Sequence, residues 1–269
     1  MNINFERNRS QLFCEAALNC NTLDEWGKSD FKNLQLNRTQ AEKLVNELRE
    51  DSKDLYFKGL LSLFEGLKSV ELKLFSWATV KIYYSLFYFL KCTLAVKGIA
   101  IIRQKSLYYI KALEGEYPIT IGNRKFNSDH SGVINYFIKL INSDILLTQS
   151  IDSTNAYDWL MKKREQIHYR ERKFNEPNCS SFWEKINEII DNGKLEKLLK
   201  DYIEDKFILC FQEEHAVLAI PLKRALLTKE ILDNENINVS LTIEQKDLLV
   251  KLLPFNIPDL LNLIEYNPK

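Results

Sequence analysis

Between Leu74 and Ile102 the chain is so apolar that only Lys81, Lys91 and Lys97 carry charge. These lysines fall too close together to leave an uncharged span of about 20 residues, so the segment is not read as a membrane helix. Trp77, Val80, Tyr84, Phe87, Lys91 and Leu94 trace one helical face, while Leu74, Ile82, Leu86, Phe89 and Leu90 populate others. A helix apolar nearly all round must be enclosed by other elements. The segment therefore predicts the interior helix of a bundle, ended by Gly98. Its aromatic cluster, Tyr83, Tyr84, Phe87, Tyr88 and Phe89, is read as core packing or a subunit interface rather than a base-stacking platform.

The rest of the chain agrees with an all-α fold. Only eight Gly and six Pro occur in 269 residues, which disfavours a turn-rich β architecture. Lys plus Arg equals Asp plus Glu at 37 each, so no global field draws the chain to nucleic acid or anionic lipid, and any such contact must be local. The five cysteines form no CxxC pair and have no His at zinc-ligand spacing, which fits a reducing cytoplasm. No apolar run follows the charges of the N-terminus, so no secretory signal is expected.

Three regions are expected. Residues 1–53 form an N-terminal helical cap, with capping boxes at Thr22–Glu25 and Thr39–Glu42. Residues 54–192 form the main helical bundle. Here Gly59 and Gly66 mark close packing or a break, SLYYIKAL (106–113) is a short helix, and a loop precedes a helix that starts near Asp129. Asn192-Gly193 opens a small, mostly helical C-terminal region, 193–269. Within it Pro221 should end or kink a helix near Ile220, and Thr242–Gln245 is a capping box. FILCF (207–211) and HAVLAI (215–220) fit either helices or short strands.

One stretch concentrates chemistry: Tyr157–Lys173, YDWLMKKREQIHYRERK. On an α-helix Arg164 and His168 lie on one face, one turn apart. From Lys162 to Lys173, Lys162, Lys163, Arg164, Arg170, Arg172 and Lys173 set six positive charges against Glu165 and Glu171, so the ligand expected here is anionic. Cleavage of RNA by its own 2′-hydroxyl needs a proton acceptor working near neutrality, a role for His168. It also needs stabilisation of charge on the phosphorus, which the guanidinium of Arg164 offers. Lys163, Tyr169, Arg170 and Arg172 are the expected substrate-binding residues, with binding sensitive to salt. No metal or cofactor is required, and the motifs of P-loop nucleotidases, zinc proteases and serine hydrolases are absent.

Three stretches carry a family resemblance. YYSLFYFLKCTLAVKG (83–98), the loop-to-helix sequence Asp129-His130-Ser131, and Arg-x-x-x-His-Tyr-Arg (164–170) together resemble the HEPN superfamily over roughly residues 54–192. The resemblance implies an all-α bundle that dimerises around a shared cleft. It also implies a metal-independent endoribonuclease of toxin, CRISPR or phage-defence systems. The family motif is Arg, four to six residues, then His. Three residues separate Arg164 from His168, Lys163 would give four, and Arg124 to His130 gives five, which makes Arg124 and His130 accessory candidates. The alternative is a catalytically inactive HEPN-like interaction module of a defence complex, binding a nucleotide or, through its C-terminal region, a partner protein.

Overall fold

The computed structural model describes residues 7–25, 27–121 and 129–265. It is predominantly helical, as the composition predicts, with two small antiparallel sheets. Two compact units are interleaved along the chain, one from Met1–Leu55 and Leu90–Leu140, the other from Tyr56–Phe89 and Ile141–Lys269. Helices α3 (Arg38–Glu71) and α4 (Phe75–Val96) each contribute to both.

In the first unit, α1 (Arg9–Ala17) is started by a distant residue. The carboxylate of Asp51 accepts from Arg9 N–H at 2.7 Å, Ser10 N–H at 3.0 Å and the Ser10 hydroxyl at 2.6 Å. It thereby satisfies backbone donors that a first helical turn leaves open. Gly98, at φ +72°, ends α4 as expected and turns the chain into β1 (Ile99–Gln104). The stretch predicted as a short helix, SLYYIKAL, instead supplies β2 (Ser106–Lys111), paired antiparallel with β1 so that Ile102 faces Tyr108. Tyr108 and Ile110 are buried on one face while Tyr109 and Lys111 are half-exposed on the other. A β-branched partner strand thus overrides local helical spacing. Beta3 (Ile119–Thr120) extends the sheet, and α5 (Asp129–Leu140) completes the unit.

In the second unit the glycines of α3 mark close packing. A Cβ on Gly59 would lie 2.5 Å from the Phe89 ring, and one on Gly66 would lie 2.6 Å from Ile82. The hairpin β4 (Ser150–Ile151) and β5 (Thr154–Asn155) leads into α6 (Ala156–Glu165), capped by the Asn155 side chain, which accepts from Tyr157 and Asp158 N–H. There follow α7 (Glu184–Asp191), α8 (Leu195–Glu204), α9 (Glu213–Asn234), α10 (Ile243–Leu252) and α11 (Pro258–Asn262). Helix α9 packs against α6, α7 and α8, and Pro221 does not end it. Every residue from Ala216 to Ala225 is buried, and that packing offsets the roughly 3 kcal/mol that an interior proline costs. HAVLAI is therefore helical, and Leu209–Phe211 forms a 3-10 turn. The capping box of Thr242 and Gln245 opens α10 as expected. Among the described residues no helix is long and apolar enough to cross a membrane.

Candidate functional site

The basic stretch does not continue as an α-helix. After Glu165 the chain widens into a π-helical turn, Gln166–Arg170, closed by Glu171 N–H donating to the Gln166 carbonyl at 2.9 Å. In an α-helix residue i meets i+4, whereas a π-turn aligns i with i+5. Arg164 accordingly meets Tyr169 rather than His168. Its Nη2 donates to the Tyr169 hydroxyl at 3.1 Å and to the Tyr84 hydroxyl at 3.2 Å. The expected pairing of Arg164 and His168 on one face is therefore not the observed one, and the cause is the inserted residue of the π-turn.

Burial separates the two residues further. Arg164 is only 5% exposed, and its guanidinium sits 4.7 Å from the ring centre of Tyr169, 5.3 Å from that of Tyr83 and 5.6 Å from that of Tyr84. Among the described residues it forms no ion pair, and its buried Nε has no hydrogen-bond partner. Burial pushes the Tyr83 hydroxyl pKa up, with the nearby Arg164 charge opposing the shift. His168 lies in solvent, its ring 4.5 Å from that of Tyr169. Tyr169 itself is 66% exposed and forms the outer wall over Arg164.

The remaining predicted residues divide. Lys163 is drawn inward over the rings of Trp159 and Phe182, at 5.0 and 5.2 Å, and pairs with Glu213 at 3.0 Å, so its charge is committed within the fold. Arg170 is exposed, with Glu165 at a loose 3.7 Å. Lys162, Arg172 and Lys173 are exposed and form no ion pair among the described residues. Glu171, the second acid of the run, is occupied by Gln166 at 3.1 Å and Asn175 at 2.9 Å. His130 stands in the first turn of α5, in the first unit, whereas Arg164 and His168 belong to the second. Arg124 lies outside the described residues.

Sequence reasoning missed two features of the second unit. One is a pair of exposed rings, Trp77 and Phe174, 5.2 Å apart and edge-on. The other is a buried polar cluster in which Arg224 pairs with Asp144, while the Tyr157 hydroxyl donates to Asp144 at 2.8 Å. A π-turn leaves no mark in hydrophobic periodicity. The exposure of Trp77 was concealed by its place in an apolar segment. No protein-family model, curated protein or solved structure matches the chain.

Proposed function

We propose that the chain is a HEPN-like helical protein that binds RNA along the edge formed by the end of α6 and its π-turn, as an interaction module rather than a nuclease. The observation that carries this reading is the separation of Arg164 from His168. A base and a phosphate clamp acting on one phosphodiester must converge within hydrogen-bond reach of the reacting atoms. Here the guanidinium is buried behind Tyr169 while the imidazole faces solvent. What the edge presents outward is Lys162, His168, Tyr169, Arg170, Arg172 and Lys173. Exposed cations interleaved with an aromatic ring suit a polyanion that carries bases.

Metal-independent cleavage is the second reading, favoured by the unpartnered Nε of Arg164. With Tyr169 turned aside, that donor would be available to a phosphoryl oxygen next to His168. Purified protein incubated with labelled RNA in EDTA separates the two. Binding without cleavage is expected, with a log affinity that falls linearly with log salt. Arg172→Ala should weaken binding and reduce the slope by about 0.7, the contribution of one phosphate contact on a single strand. Cleavage lost in both His168→Ala and Arg164→Ala would replace this reading with the nuclease, and the absence of any RNA binding would sink both.

A further inference from the structure

Trp77 lies in the first turn of α4 and is 46% exposed, and Phe174, which meets its ring edge-on, is 37% exposed. The other two tryptophans of the described residues, Trp159 and Trp183, are fully buried. The exposed pair rests on fixed supports. Glu176, two residues beyond Phe174, accepts from Ser76 N–H at 2.6 Å and from the Ser76 hydroxyl at 2.7 Å, tying the loop to the start of α4. In the same first turns of α4 Thr79 accepts from the Trp183 indole at 2.8 Å, and Phe75 packs 5.2 Å from its ring. Two large rings are therefore held in solvent by a backbone that is ordered from both sides, which lowers the conformational cost of binding to them.

Their surroundings indicate the ligand. Phe174 directly follows Arg172 and Lys173 in the chain, and both of these cations are exposed as it is. Tyr84 lies on the same face of α4, seven residues on from Trp77, or about 10 Å along the axis, and there it meets Arg164. Resting on the reading that this edge binds RNA, we infer that Trp77 and Phe174 form a stacking subsite for unpaired bases and that the ligand is a single strand. Aromatic faces accept any base but require it to be unstacked from its neighbours. A duplex keeps its bases inside and offers mainly phosphates and 2′-hydroxyls. The polyanionic backbone would run over Arg172 and Lys173 while a base lies on Trp77.

The test is a fluorescence titration of the full chain with a short oligouridylate and, separately, with an RNA duplex of the same length. The oligouridylate should quench tryptophan emission, and Trp77→Phe should remove most of that quenching while keeping most of the affinity. Trp77→Ala should weaken oligouridylate binding by about 5- to 150-fold, the range expected for loss of one stacked base. Arg172→Ala should weaken oligouridylate and duplex alike, which separates phosphate contact from stacking. Wild-type affinity in Trp77→Ala, with salt-dependent RNA binding retained, would overturn the stacking subsite and leave the RNA reading standing. Equal affinity for duplex and single strand would do the same. Failure to bind either RNA, with binding instead to phosphatidylserine vesicles through Trp77 and the nearby exposed Leu72 and Leu74, would overturn both.

Discussion

Arg164 and Arg224 are buried guanidinium groups of the same unit, yet one is neutralised by the fold and the other is not. Arg224, 1% exposed, pairs with the Asp144 carboxylate and also donates to the Tyr157 hydroxyl at 3.3 Å and to Thr228 at 3.2 Å. Burial works against its charge, but Tyr157 and Asp144 outweigh it and raise the pKa above the ordinary arginine value. Burial also pushes the Tyr157 hydroxyl pKa up, so it stays protonated and Asp144 supplies the opposite charge. Among the described residues Arg164 has three aromatic rings and two hydroxyls but no carboxylate. Removing an ion from water costs several kcal/mol, of which a desolvated cation–π contact returns roughly 2 kcal/mol. The contrast distinguishes a buried charge paired with a carboxylate from one that, among the described residues, meets only rings and hydroxyls.

The largest test of that contrast removes the carboxylate. Asp144→Ala should lower the unfolding free energy by about 3–5 kcal/mol in urea titrations, because it strands the Arg224 charge and removes an acceptor for Leu146 N–H. The double variant Asp144→Leu with Arg224→Met should recover most of the loss, since no unpaired charge is left behind. A single-variant cost under about 1 kcal/mol would mean that Arg224 is not held by its carboxylate, and the two arginines would no longer differ in kind.

How much of this was legible in the sequence follows from the range of the interactions. The capping box at Thr242 and the end of α4 at Gly98 involve residues a few positions apart, and local spacing finds them. Asp144 and Arg224 are 80 residues apart, as are Tyr84 and Arg164, and no periodicity links them. The basic stretch was visible as composition, but the side each residue faces depended on one inserted residue in the π-turn. The strand form of SLYYIKAL is set by pairing with Ile99–Gln104 rather than by its own residues, so local spacing does not show it. Nor does local periodicity mark residues 55 and 90, where unbroken helices pass from one unit to the other.

The intermediate test replaces Arg164 itself. Arg164→Met keeps the volume, strands no carboxylate and removes a desolvated charge, so stability should change by no more than about 1 kcal/mol in either direction. RNA affinity should stay close to that of the wild type, because the guanidinium is buried behind Tyr169 and the cations that face outward remain. A destabilisation as large as that of Asp144→Ala would show that Arg164 is architectural after all. A fall of about tenfold or more, the size of one lost charge-assisted contact, would show that an anion reaches it.

The smallest effect is expected where pH can create a charge that the fold does not compensate. The Tyr202 hydroxyl and Nδ1 of His215 share a hydrogen bond at 2.9 Å. Burial lowers the His215 pKa below its ordinary 6.5, with Glu214 opposing the shift. Above about pH 6.5 neither the folded nor the unfolded chain protonates this residue, so it adds no pH dependence. As pH falls below that value the unfolded chain takes up a proton that the folded chain resists. Stability therefore declines until the folded pKa is passed, and is level below it. Urea midpoints of wild type and His215→Gln compared at about pH 7 and about pH 5 should show the wild type losing more on acidification. The effect should be modest, because a half-exposed imidazole is partly hydrated and can release its proton, whereas the arginines cannot. An equal loss in both proteins would show that the folded surroundings tolerate the charge at His215, and the penalty for an uncompensated cation would then hold only for the fully buried arginines.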